Sequence, residues 1–227
     1  MENDRQIVVV AGATGRTGRL IVEELITKGY LVRAMVRSVA LASALQQEGV
    51  ELIEGDLTSP ASLEKLMEGA HFLISAIGSR KPFSKQENNR VDNMGNQNLA
   101  RAALSKGIRH MVVISSIGVG NSRYAISFLY RLLMSPVLKM KEISEEFIRT
   151  CGINYTIIRP GGLADRELPG KIVFGEGGKI SGSVSRKQIA HVCVDALTNP
   201  SLKNRTLEVV DDSTVKGELK QFIVDLK

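Results

Sequence analysis

The chain has 227 residues, 43% of them apolar and 24% charged, a balance that suits one globular domain and excludes a disordered or fibrous chain. Lys and Arg outnumber Asp and Glu by 30 to 24, but the cations are scattered, with no zinc-finger or RNA-stacking motif, so nucleic acid is not an expected partner. Cys151 and Cys193 are too few for a disulfide scaffold, and His71, His110 and His191 lack zinc-ligand spacing, so no metal centre is expected. Neither a secretory leader nor an apolar run near the roughly 18 residues of a membrane span is evident, and the expected location is the cytoplasm, or an organelle stroma for a processed form.

Gln6 to Ala11 is a nearly continuous apolar run, the pattern of a strand buried on both faces. Leu20 to Thr27 reads as helix, ended by Gly29 as a left-handed cap. Further strands are expected at Leu31 to Val36, Glu51 to Glu54, His71 to Ala76, Met111 to Ser115, Asn154 to Ile158 and Arg205 to Val210. Between them, Val91, Met94, Gly95, Asn98, Leu99, Ala102 and Ala103 fall near helical spacing. Met140, Ile143, Phe147 and Cys151 form a second such stripe, and Ile189, Val192, Cys193, Ala196 and Leu197 a third. Strands alternating with helices predict an α/β fold, a doubly wound parallel sheet in a single domain. The domain is expected to span residues 1–227, with a small substrate-side region drawn from 120–140 and 161–185.

The first strand runs into Gly12, Ala13, Thr14, Gly15, Arg16, Thr17 and Gly18, with a helix starting inside the segment. Glycines at this spacing allow a tight turn, close approach of backbone to a diphosphate, and close helix packing, while the helix N-terminus offers N–H donors. This is the Rossmann-type dinucleotide signature in its proper context. Arg37 follows the second strand where an acidic residue would favour NAD; a guanidinium there suits the 2′-phosphate of NADP. Arg16 is a second candidate for that phosphate, while Arg33 reads better as a strand-edge charge. Asp56 and Leu57, after the third strand, are placed for the adenine, with Asp56 alternatively a helix cap. Ala76, Ile77 and Gly78, after the fourth, are small enough to let the backbone run beside the cofactor.

Together the glycine turn, Arg37, Gly55-Asp56-Leu57, Val91-Asp92-Asn93, Val113 to Ser116 and Tyr155 to Leu163 resemble the atypical short-chain dehydrogenase/reductase superfamily. The resemblance is to its NAD(P)H-binding, NmrA-like branch, with biliverdin reductase B-like flavin reductases and plant plastid proteins. It implies Ser115 near the nicotinamide, Pro160, Gly161, Gly162 and Leu163 along its other side, and Lys141 on the nicotinamide ribose. Ser115 alternatively caps a strand end, and Lys141 alternatively pairs with Glu145. Plastid relatives carry a transit peptide, whereas Met1 to Arg5 alone precede the first strand here.

The superfamily's Y-x-x-x-K pattern is broken, because Val137 stands four before Lys141. Tyr124 and Tyr130 lie upstream, as packing residues or as an alternative approach to the pocket. Without the phenol, reduction of a simple carbonyl lacks its proton donor, so the expected activity is NADPH-dependent hydride transfer to a small conjugated electron acceptor such as a flavin or quinone. A non-enzymatic NADP-binding regulator is the alternative; an epimerase fits less well, lacking the tyrosine and a longer C-terminal lobe. The apolar segment Tyr124 to Met140 has three readings: a substrate cover, a core helix, or a peripheral membrane or partner surface.

Overall fold

The computed structural model describes residues 5–217. Strands β1 (Ile7–Ala11), β2 (Leu31–Val36), β3 (Val50–Glu54), β4 (Phe72–Ser75), β5 (His110–Ile114), β6 (Tyr155–Pro160) and β11 (Arg205–Asp211) run parallel in one sheet. These are the strands expected from the sequence, and the inner ones form on residues that are mostly apolar on both pleats, while β3 at the edge has no fully buried residue. In β1, Val8 and Val10 pack on one face and Val9 and Ala11 on the other. With β8 (Ile172–Gly175) included, the sheet order is β3-β2-β1-β4-β5-β6-β11-β8. The edge strand β8 was not foreseen and runs antiparallel to β11.

Helices α1 (Arg16–Thr27) and α6 (Arg186–Asp195) cover one face, with Ile21, Val22 and Leu25 meeting Ile189, Val192 and Cys193 in one cluster. Gly29, at φ 82°, ends α1 as expected, and the N–H of Tyr30 returns to Leu25 O. The other face is covered by α2 (Pro60–Met67), α4 (Asn96–Ser105) and the inner side of α5 (Phe128–Thr150). The short α3 (Lys85–Asn88) leads into α4 through a π-helical turn at Asn89–Gly95. Within this run Val91, Leu99, Ala102 and Ala103 are buried as the spacing predicts, whereas Met94 is turned outward.

Two expectations need correction. On α5 the buried face carries Val137, Leu138, Ser144, Glu145 and Ile148, and Ile143 is exposed. Of the expected stripe, Phe147 and Cys151 do pack against the core, but apolar spacing missed its centre because a polar residue, Glu145, occupies it. The segment read as a substrate cover is also divided. Val137 and Leu138 pack with Val119, Ile126 and Met134, while Phe128 to Leu133 present large side chains to solvent. Within 161–185, β7 (Gly162–Ala164) pairs with β10 (Ser183–Ser185), and β9 (Ile180–Ser181) pairs with β12 (Lys216–Gly217).

Candidate functional site

The sheet order reverses between β1 and β4, which leaves a crevice beyond their carboxyl ends. Gly12 turns the chain there at φ 86°, and a Cβ on it would lie 2.6 Å from Ala76 O. A Cβ on Gly18 would lie 2.1 Å from Gly12 O, so α1 can rest on the turn only because that side chain is absent. The start of α1 differs from those of α2, α3, α5 and α6, which are capped by Ser59, Ser84, Ser127 and Ser185. No side chain caps Gly15, and the first turn of α1 has no acid. Its N–H groups and the positive end of its dipole are left for an external anion.

From this turn a cleft of about 680 Å³ extends toward β2 and β3. Of the residues named from sequence, Gly12, Thr14, Gly15, Arg37, Asp56, Leu57, Ala76, Ile77 and Gly78 line it. Arg37 is exposed just past β2 and has no hydrogen-bond or ion-pair partner among the described residues. Arg80, Lys81 and Arg90 bring further positive charge. None of these three was foreseen, although the adjacent cations after Gly78 were a visible signal. Arg90 is gripped by Glu87 at 2.8 and 3.0 Å, which lowers the Glu87 pKa and raises that of Arg90. Asp56 accepts from the backbone N–H and hydroxyl of Thr58, and these bonds hold its carboxyl below the usual range. It does not cap α2, a task taken by Ser59.

The remaining named residues lie outside the cleft lining. Ala13 and Gly18 are buried and pack the turn. The guanidinium of Arg16 is bound to Asp165 at 2.7 Å, and Asp165 also holds Arg186, which in turn reaches Thr17 Oγ1. Arg33 bridges Glu51 and the carbonyls of Leu66 and Glu68, so it clamps β3 and the end of α2. Pro160 ends β6, and Gly161 to Leu163 are held against 182–184, with Gly162 N–H bonded to Gly182 O.

Ser115 and Lys141 each have a buried partner. Lys141 Nζ lies 3.0 Å from Asp92 Oδ1, and Asp92 Oδ2 accepts from Ser79 N–H, which joins α5 to the loop after β4. Lys141 therefore pairs with Asp92, not with Glu145. Ser115 Oγ donates to Glu145 Oε1 at 2.5 Å. The same carboxylate accepts from Arg159 at 2.6 and 3.1 Å and from Arg149 at 3.1 Å. Arg159, 3% exposed, also donates to Asn121 Oδ1 at 2.5 Å and stands 3.5 Å from Glu208. Burial pushes the Glu208 carboxyl above its usual pKa. Ser116, next in the chain, is half-buried and donates to Ile117 O. At the position of the missing tyrosine, Val137 is buried in apolar packing. Tyr124 and Tyr130 are surface residues, with Arg123 and Arg131 over the ring of Tyr124.

A glycine cradle, an uncapped helix start and a cationic cleft fit a dinucleotide, and residues 12–200 match the NAD(P)H-binding family model. The chain belongs to that family. A chloroplastic protein of Arabidopsis thaliana of uncharacterized function is 35% identical, over 89% of this chain and 76% of its own length. TIC 62 of Pisum sativum is 30% identical over 93% of this chain, which spans 44% of that relative. Sanguinarine reductase of Eschscholzia californica is 28% identical over 93% and 91% of the two chains. Among solved structures, the anaerobillin reductase ChuY of Escherichia coli O157:H7 superposes with a TM-score of 0.80 at 23% identity, covering 91% and 97% of the chains. A short-chain dehydrogenase/reductase of Veillonella parvula in complex with NADP gives 0.71 at 16% identity, covering 92% and 96%. Both place this family member among Rossmann-type folds.

Proposed function

We propose that the chain is an NADPH-dependent reductase that delivers hydride to a small conjugated acceptor of the flavin or quinone kind. The observation that carries this reading is the uncapped start of α1 opening onto a cleft in which Arg37 has no hydrogen-bond or ion-pair partner among the described residues. Gly12, Thr14 and Gly15 would hold the pyrophosphate, and Arg37 the 2′-phosphate that NADPH has and NADH lacks. Asp56, Leu57 and Ala76 to Gly78 would flank the adenosine. Ser115, Lys141 and the Pro160 to Leu163 segment would border the nicotinamide half. NADPH supplies the hydride when bound.

The chain's own residues narrow the acceptor. Ser115 commits its proton to Glu145, so its free lone pairs can only accept. Lys141 is tied to Asp92, and Val137 has no proton to give. A simple carbonyl would lose the proton donation that contributes about 10² to 10⁴ in rate, whereas a conjugated ring spreads the incoming charge and takes its proton from water. The name of sanguinarine reductase, a relative matched over nearly its full length, supports a reductase. The test is calorimetry with NADPH and NADH, followed by NADPH oxidation with flavins, quinones and simple aldehydes. Turnover with flavins or quinones and not with aldehydes is expected; efficient aldehyde reduction alone would reject the acceptor class.

A second reading, a nucleotide-binding regulator without turnover, is favoured by Val137 itself. Heat of NADPH binding with no oxidation by any acceptor would select it.

A further inference from the structure

Helix α5 begins with a face that the fold leaves bare. Phe128, Leu129, Leu132 and Leu133 are 69%, 64%, 61% and 52% exposed, and Tyr124 just before them is 78% exposed. At about 100° per residue these four helical positions fall within a sector of about 140°, so they form one continuous apolar stripe. Such a stripe of large side chains marks a contact surface.

The surrounding charge identifies the contact. From Asn121 to Met140 the sequence has no Asp or Glu, while Arg123, Arg131 and Lys139 supply positive charge. The Arg131 guanidinium lies 5.4 Å from the ring centres of both Tyr124 and Phe128, and Arg123 lies 5.8 Å from that of Tyr124. The two arginines are thus held at the rim of the apolar stripe by aromatic rings. Lys139 is 3.6 Å from Glu142, beyond the stripe. A second copy of the same face, related by a two-fold axis, would bring Arg123 and Arg131 against the same cations of this one. No described helix is long and apolar enough to cross a membrane.

We propose that this face docks the protein peripherally on an anionic lipid surface. Phe128, Leu129, Leu132 and Leu133 enter the boundary between headgroups and acyl chains, and Arg123 and Arg131 meet lipid phosphates. Interfacial helices bind by this combination of buried apolar area and cationic attraction.

The chain contains no tryptophan, so Leu132→Trp creates a single fluorescent reporter on the stripe. The full-length variant is mixed with phosphatidylcholine vesicles with and without phosphatidylserine. A blue shift in emission and quenching by brominated acyl chains are expected with the anionic vesicles, and both should weaken with salt. In co-sedimentation, Arg131→Gln should bind about fivefold less well, and Leu129→Ser with Leu133→Ser at least about tenfold less well. Circular dichroism melts control for folding, so the test does not depend on nucleotide binding. Folded protein that neither shifts nor sediments with anionic vesicles would overturn the proposal. So would a dimer in sedimentation velocity that the same two serine substitutions dissociate, because the face would then belong to a second copy.

Discussion

Replacing Glu145 by Gln keeps the side chain's shape and removes a charge from beneath Ser115. The carboxylate accepts from Ser115, from Arg149 and twice from Arg159. The amide keeps one acceptor and turns an NH₂ group toward the arginine donors. Arg159, 3% exposed, is then left with Asn121 and with Glu208 at 3.5 Å, whose carboxyl is itself biased toward the neutral form by burial. Removing one partner from a buried pair destabilises by about 3–5 kcal/mol. With a urea slope of about 2 kcal/mol/M, the unfolding midpoint should fall by about 2 M. The assay is urea unfolding of the full chain at neutral pH, followed by circular dichroism. Combining Glu145→Gln with Arg159→Met should cost less than the sum of the two, with a coupling of about 1–3 kcal/mol. A midpoint shift under about 0.5 M would refute the reasoning, because the network would then be no tighter than an exposed ion pair.

Arg37→Ala should weaken NADPH binding by about 10- to 100-fold in calorimetry, the loss of one charge-assisted contact, and leave NADH unchanged. Equal losses for both nucleotides would remove Arg37 from the phosphate site. Gly18→Ala forces a methyl group to 2.1 Å from Gly12 O, so the glycine turn must move and NADPH affinity should fall with the melting temperature; an unchanged affinity would show that the start of α1 is not the anion site. Burial holds the His110 imidazole down at about 4, against 6.5 for the free group. The unfolded chain therefore takes up this proton first as pH falls. Stability should decline between about pH 6.5 and 4 by at most about 3 kcal/mol, and His110→Gln should flatten that slope in urea titrations. A slope that survives the substitution would assign it to other groups.

Most of the parallel strands were legible because they are apolar runs buried on both faces, though the edge strand β3 has no fully buried residue, and the glycine turn because backbone geometry demands that residue type. Strand β8 was not, since Ile172 to Gly175 is a short run between glycines whose partner is set by tertiary pairing with β11. The inner face of α5 escaped for a different reason. Apolar periodicity cannot register Lys141 and Glu145, which face inward because Asp92 and Arg159 lie opposite them. The cleft was half legible: strand ends and glycines announced themselves, whereas Glu87 and Arg90 reach it from a short helix and the π turn that continues it. Arg16 shows the converse, a cation well placed in sequence whose charge is taken up by Asp165.

That widened turn at Asn89–Gly95 sets the angular phase between two groups of contacts. Before it and at its start, Glu87 and Arg90 face the cleft. Downstream, Asn96 bonds to Ser75 and Asn98 to Leu57 O, which fixes the following helix on the sheet. Forcing all seven residues of the turn into regular α geometry would swing the upstream group by about 100° relative to the downstream one, whereas excising one residue would let the stretch close as α-helix near its present phase. In the first case Arg90 would point away from the crevice, so in this stretch helical pitch is as much a determinant of the site as residue identity.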